Sequence, residues 1–258
     1  MATPTILIVH GASQPSPVYA PLVQKLEAAG FHVEVPDYPS VGDDIPKMAD
    51  NTADIEFVRE AATSLVEAGK DVIALLHSYG GVVGSGALSG LSKTAREKKG
   101  LKGGVTRLVY ATAFALREGE RLPRAGNLDE VKQYGTYHEE NETLVVSKEA
   151  AMYASFHDLT SEEGEKYYAM YKPQSVSAMW SKQVANEAWR EIPSTYVYCT
   201  TDRIIPLEGQ EQMVRNAREL QPTAFDVEVT LETGHNPALS KVDELVEVVK
   251  KAAAQSGN

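Results

Sequence analysis

The sequence predicts an α/β fold, a doubly wound and mainly parallel six-stranded sheet with a helical lid inserted between core strands. Three observations carry that prediction. Short apolar runs alternate with segments of helical period through the first and last parts of the chain. The runs are apolar at consecutive positions, as in parallel strands buried on both faces. The alternation breaks once, after Leu116, and resumes near Ser194.

Taken in order, Thr5 to His10 is the first strand, with Ile6, Leu7, Ile8 and Val9 in one block. Tyr19 to Ala29 repeats Leu22, Val23, Leu26 and Ala29 at helical spacing, and Gly30 closes it. His32 to Val35 is a second strand. Ile55 to Ala68 places Ile55, Val58, Ala62, Leu65 and Val66 on one helical face, and Gly69 ends it. Val72 to Leu76 is the third strand, followed after Gly81 by a helix of small residues. Val105 to Ala111 is the fourth strand. From Arg117 to about Pro193 the chain is polar, Tyr-rich and expected to be mostly helical. Thr195 to Thr200 then reads as a strand, Leu207 to Leu220 as a helix and Val227 to Leu231 as the last strand. A final helix over about Lys241 to Ala253 starts with a capping-box-like Ser240 and Asp243. The expected organisation is one core, residues 1–116 and 194–258, with a lid over residues 117–193.

Candidate chemistry gathers at the ends of these strands. Ser78 leaves the third strand in Leu76-His77-Ser78-Tyr79-Gly80-Gly81 and enters a helix. So sharp a turn exposes the serine at the carboxyl edge of the sheet and needs small residues two positions away, which Gly80 supplies. A serine that merely caps a helix would look the same in isolation. His10-Gly11-Ala12 ends the first strand, beside the strand of Ser78. Backbone N–H groups of Ala12 and Tyr79 are the candidate oxyanion donors. Asp202 follows the fifth major strand in Thr201-Asp202-Arg203, and His235 follows the last in Thr233-Gly234-His235-Asn236. Serine, aspartate and histidine therefore fall in that chain order, each just beyond a parallel strand. Active sites of open α/β sheets lie along that edge. The remaining histidines are assigned no chemistry, with His10 taken to hold its loop and His77 to point away from the pocket.

Composition narrows the field. Lys+Arg 25 against Asp+Glu 36 gives a net charge of −11, which repels phosphate backbones and makes nucleic acid an unexpected partner. The single cysteine, Cys199, excludes an intrachain disulfide. No apolar stretch approaches the roughly 20 residues of a membrane helix, and no targeting segment is evident, so a cytoplasmic protein with no membrane partner is expected. His10-Gly11-Ala12-Ser13-Gln14-Pro15 lacks the glycine spacing of a dinucleotide site, and no histidines stand at metal-ligand spacing. Neither cofactor nor metal is expected. A homodimer remains open.

On these motifs the chain resembles the α/β-hydrolase superfamily, in its lidded branch of methylesterases, hydroxynitrile lyases and fungal esterase-like proteins. The resemblance runs from Ile6 through His10-Gly11-Ala12 to the final helix and includes Phe156-His157-Asp158-Leu159 and Lys172-Pro173-Gln174-Ser175 of the lid. It implies that Ser78 is the nucleophile, His235 the general base and acid, and Asp202 its orienting partner. Two departures bear on the chemistry. The family motif begins with glycine two residues before the nucleophile, where this chain has Leu76. The lyases carry lysine directly after the histidine, where this chain has Asn236, and Ala12 stands where a lyase would place a hydroxyl. Hydrolysis of a carboxylic ester or lactone of a small apolar molecule is therefore the expected reaction. A lyase or C–C bond-cleaving reaction with the same triad, and a ligand-binding module with incidental hydrolysis, are the alternatives. Candidate substrate contacts are Ser13 and Phe114 in the core and Tyr134, Tyr137, Phe156, Met179 and Trp180 in the lid.

Overall fold

A computed structural model describes residues 3–123, 126–184 and 187–255. The central sheet is built from β1 (Thr5–Val9), β2 (His32–Glu34), β3 (Asp71–His77), β4 (Gly104–Ala111), β8 (Ser194–Cys199) and β9 (Val227–Leu231), in the spatial order β2-β1-β3-β4-β8-β9. Every neighbouring pair in it is parallel. Parallel strands need crossovers, and the helices supply them on both faces.

The period-two side chains of the strands split the core in two. Ile6, Ile8, Ile73 and Leu75 pack on one face with Leu22 and Leu26 of α1 (Ala20–Ala28) and Leu245 and Val249 of α11 (Val242–Gln255). Leu7, Val9, Ala74 and Leu76 face the other way. They meet Val58 and Ala62 of α2 (Thr52–Glu67), Val82 and Val83 of α3 (Gly80–Ala87), and Val214 and Ala217 of α9 (Leu207–Leu220). Ile6 through Val9 are fully buried, and each such side chain contributes about 1.5–3 kcal/mol relative to exposure. Consecutive burial on both faces explains the unbroken apolar runs Ile6–Val9 of β1 and Val72–Leu76 of β3; β4 and β8 hold Thr106, Arg107, Ser194 and Thr195 and are apolar or aromatic from Leu108 and Tyr196 onward.

Between β4 and β8 the chain is only partly helical, which corrects the mostly helical expectation. Helices α5 (Leu128–Val131), α6 (Lys148–Ala154), α7 (Ser161–Tyr168) and α8 (Val176–Met179) alternate with a three-stranded antiparallel sheet, β5 (Gly135–His138), β6 (Thr143–Val146) and β7 (Gln174–Ser175). These strands are too short and too solvated to produce a core-like apolar run; Val145 of β6 is 37% exposed. The start of the last helix also differs. Ser240 belongs to a preceding turn, α10 (Pro237–Ser240), where its hydroxyl donates to the Asn236 carbonyl at 3.1 Å instead of capping α11. Among the described residues, no helix is long and apolar enough to cross a membrane.

Candidate active site

Three residues at the carboxyl edge of the sheet carry positive φ without being glycine. They are Ser13 after β1, Ser78 after β3 and Thr112 after β4, with φ of 61°, 52° and 39°. Such conformations cost on the order of 1–3 kcal/mol each and persist only where surroundings hold them. At Ser78 the holding contacts are visible. Its carbonyl accepts the N–H of Gly81 at 3.0 Å and that of Phe114 at 3.1 Å. A Cβ on Gly80 would lie 2.1 Å from the Val9 carbonyl oxygen, and one on Gly81 would lie 2.4 Å from that of Phe114. The turn closes against two neighbouring strand ends, and only glycine fits at either position.

Leu76 does not keep the turn from closing. Its side chain runs into the groove left by Gly84 of α3, where an added Cβ would come within 2.5 Å of Leu76 Cδ2. Gly84 on the helix is what leaves room for Leu76 on the strand.

Ser78, His235 and Asp202 form one hydrogen-bonded line. His235 Nε2 lies 2.9 Å from Ser78 Oγ, and His235 Nδ1 lies 2.7 Å from Asp202 Oδ2. Asp202 Oδ2 also accepts the Thr112 hydroxyl at 2.5 Å, and Oδ1 accepts the N–H of Ile204 at 2.7 Å and of Ile205 at 3.0 Å. Burial by itself would raise the Asp202 carboxyl. Electrostatic attraction to the His235 ring and these hydrogen bonds outweigh it and hold the group below the ordinary aspartate value. An ionised Asp202 fixes the proton on Nδ1 and leaves Nε2 free to accept from serine. The arrangement fits a Ser-His-Asp triad.

His77 has a role that its place in the sequence did not reveal. Its Nε2 lies 2.7 Å from the His235 carbonyl oxygen, so that nitrogen must carry the proton. Its Nδ1 then accepts from the Tyr19 hydroxyl at 2.6 Å, and the Tyr19 oxygen accepts the N–H of Gly11 at 2.9 Å. Burial, reinforced by the neighbouring His235, pushes His77 from 6.5 down to about 3, so it stays neutral. The loop after β1, the turn of Ser78 and the loop of His235 are thereby joined at Gly11 and His77, next to Ala12 and Ser78, and at the backbone of His235 itself. His10 is also buried and pushed down to about 4 by burial; it stacks on Tyr38 at 3.8 Å and bonds Gly11 O at 2.9 Å.

A second buried network braces the same parts from the other side. The Tyr79 hydroxyl donates to Asp54 Oδ2 at 3.0 Å, and Asp54 Oδ1 accepts the Ser40 N–H at 2.9 Å. The Ser40 hydroxyl accepts from Gln174 Nε2 at 3.0 Å, and Gln174 Oε1 accepts the Ser13 N–H at 3.2 Å. Among the described residues no protein acceptor takes the N–H of Ala12 or of Tyr79. The segment between β4 and β8 also grips the histidine loop. Asp158 Oδ2 accepts the Gly234 N–H at 2.6 Å and the Thr233 hydroxyl at 2.8 Å, and Asn236 Nδ2 donates to the Ser155 carbonyl at 2.8 Å.

Ser78 and His235 open into a cavity of 450 Å³. From the core, Ala12, Ser13, Tyr79 and Phe114 line it; from the segment after β4, Tyr134, Met179 and Trp180 do so. Two expected contacts lie off it. Tyr137 packs against the cluster of Val131, Leu144 and Val176 with Lys132 Nζ 5.8 Å from its ring centre, and so supports the wall from outside. Phe156 is buried with its ring 5.2 Å from that of Tyr171, and it is Tyr171 that reaches the cavity. Sequence reasoning missed Gln14, Ser155, Tyr171 and Met213, which also line it. The Tyr-rich composition hinted at Tyr171, but one helical face of α9 gives no sign that Met213 looks into a cavity.

A model of the alpha/beta hydrolase family matches residues 6–248. The chain belongs to that family. Among curated proteins, this hydrolase is 28% identical to the alpha/beta hydrolase nvfD of Aspergillus novofumigatus over 256 residues, covering 99% of each chain. It is 26% identical to a pyrethroid hydrolase of Sphingobium wenxiniae, covering 96% of this chain and 87% of the other. Among solved structures, the pyrethroid hydrolase PytH superposes with a TM-score of 0.73 at 22% identity, covering 98% of both chains. Polyneuridine aldehyde esterase superposes with a TM-score of 0.74 at 18% identity, covering 97% and 99%. At these identities the solved structures speak for the fold, and hydrolase-named relatives speak for a hydrolase.

Proposed function

We propose that this hydrolase is a serine esterase that cleaves a carboxylic ester or lactone of a small, largely apolar molecule through an acyl-enzyme. The observation that carries the reading is the unbroken line from Asp202 through His235 to Ser78 Oγ, opening into a cavity walled by Phe114, Leu116, Met179 and Met213. In the first step Ser78 Oγ attacks the carbonyl carbon while His235 Nε2 takes the serine proton. Asp202 stabilises the imidazolium that forms. The unclaimed N–H groups of Ala12 and Tyr79 receive the oxyanion. Losing one such donor typically costs about 10²–10³ in turnover. His235 returns the proton to the leaving oxygen, then activates water to release the acid. Residues 117–193 serve as the lid, supplying one wall of the cavity and clamping Gly234 and Asn236 on either side of the base.

The lyase alternative gains no support, because the Asn236 side chain is committed to the Ser155 carbonyl. Ser78→Ala should abolish hydrolysis of p-nitrophenyl butyrate and labelling by a fluorophosphonate probe. Full turnover in that variant would refute the serine mechanism.

A further inference from the structure

The sheet order places β4 between the strand that leads to Ser78 and the strand that leads to Asp202, yet the end of β4 supplies no member of the triad. What stands there is Thr112, fully buried and held at a φ of 39°. A β-branched side chain is poorly suited to that conformation, which glycine or asparagine would adopt at less cost. The local backbone therefore argues against threonine, and an outlier of this kind points to a task for its side chain. The hydroxyl has one: it donates to Asp202 Oδ2 at 2.5 Å.

An ionised carboxylate offers about four lone-pair sites, and each site on Asp202 has a taker. Oδ1 accepts the N–H groups of Ile204 and Ile205, while Oδ2 accepts the Thr112 hydroxyl and faces His235 Nδ1. Among the described residues, the two donors on Oδ1 are backbone groups that almost any residue would provide. The hydroxyl of Thr112 is the donor that depends on the side chain chosen. Two N–H groups pin one oxygen and leave the carboxylate free to tilt about it; a hydroxyl on the second oxygen removes that freedom. With one lone pair of Oδ2 occupied, the other remains for His235, which sets the direction of the ring and brings Nε2 to 2.9 Å from Ser78 Oγ. The same stretch reaches the nucleophile. The Thr112 N–H donates to the Val197 carbonyl at 2.9 Å, the Tyr196 hydroxyl holds the Ala113 carbonyl at 2.9 Å, and the Phe114 N–H holds the Ser78 carbonyl at 3.1 Å. Residues 112–114 thus bridge the two ends of the triad.

We propose that Thr112 is a positioning residue for catalysis, its hydroxyl fixing Asp202 so that His235 stays aligned on Ser78. This deepens the esterase reading and rests on it.

Two comparisons isolate the hydroxyl. Thr112→Val against the wild type keeps the branched shape, and Thr112→Ala against Thr112→Ser compares two side chains that both lack the methyl group. The readouts are kcat and KM for p-nitrophenyl butyrate, with urea unfolding alongside. In each comparison the chain without the hydroxyl should lose about tenfold in kcat with KM nearly unchanged, because Thr112 does not line the cavity. Thr112→Ser should keep about a third or more of the wild-type kcat. A hydroxyl that serves the fold alone would lower the unfolding midpoint and leave kcat within about twofold, and that result would overturn the proposal. Should Thr112→Val fail to fold, the comparison of alanine with serine decides. In an Asp202→Ala chain, Thr112→Ala should change kcat no further; another loss of about tenfold there would show that Thr112 does not act through Asp202. Fluorophosphonate labelling of the wild-type chain keeps the two failures apart. An unlabelled wild type overturns the esterase reading beneath the proposal, whereas a labelled chain whose kcat ignores the hydroxyl overturns the role of Thr112 alone.

Discussion

Replacing Asp202 by asparagine should cut turnover by about four orders of magnitude, and the hydrogen bonds around the side chain say why. Asp202 Oδ1 is fixed by two donors, the N–H groups of Ile204 at 2.7 Å and Ile205 at 3.0 Å. An asparagine placed there must keep its oxygen on that side. Turned the other way, its NH2 would press against two backbone donors and forfeit two buried hydrogen bonds, at about 1–3 kcal/mol each. The NH2 group therefore takes the place of Oδ2, facing His235 Nδ1, which lies 2.7 Å from that oxygen in the wild type. A donor there forces Nδ1 to accept, and the imidazole proton moves to Nε2. The Nε2–H then points at Ser78 Oγ, and no base remains to take the serine proton. The same loss of the correct tautomer costs about 10⁴ in kcat in a serine-protease triad, or roughly 5.4 kcal/mol at 1.36 kcal/mol per decade. The assay is steady-state hydrolysis of p-nitrophenyl butyrate near neutral pH, with circular dichroism to establish the fold. Asp202→Asn turning over within tenfold of the wild type would refute this account of the tautomer.

Three further outcomes follow from the same contacts. Tyr79→Phe removes the hydroxyl bound to the buried Asp54 Oδ2 and should destabilise the chain by about 1–3 kcal/mol in urea unfolding; an unchanged midpoint would count against a structural role for that bond. Asp158→Ala frees Thr233 and Gly234 and should lower kcat by on the order of 10- to 100-fold through misplacement of His235. A variant with wild-type kcat would show that the clamp is dispensable. Stability should also fall on acidification from pH 7 to pH 5. The folded chain holds His77 at about 3 and His10 at about 4, against 6.5 for an unperturbed histidine, so below pH 6.5 the unfolded chain takes up protons that the folded chain refuses. Each histidine then costs about 2 kcal/mol at pH 5. Asp54, raised by burial, works in the opposite direction. A melting temperature that is equal or higher at pH 5 would contradict the buried, neutral histidines.

The parallel core was legible because burial on both faces leaves a strand few polar positions, so β1 and β3 announce themselves as apolar blocks, β4 as one from Leu108 onward and β8 as an aromatic-rich one. The line of Ser78, Asp202 and His235 was legible for a related reason: each stands just past such a block, where the topology gathers strand ends. The strands of the inserted segment were not, because Thr143–Val146 is half-solvated and only one residue longer than β2. Which aromatic residues face the cavity was equally hidden. Phe156 and Tyr171 are neighbours in space, and nothing in their sequence surroundings decides which ring stands in front. The task of His77 depends on a carbonyl 158 positions away, a distance no local pattern spans.

The fit of Leu76 against Gly84 has a consequence for descent. A lineage that placed glycine at Leu76 first would leave a hole the size of an isobutyl group beneath its own nucleophile. One that enlarged Gly84 first would drive the helix off the sheet at the same spot. Neither halfway state is neutral, so the two positions should drift together or not at all. A search that insists on glycine two residues ahead of the serine would pass over this chain.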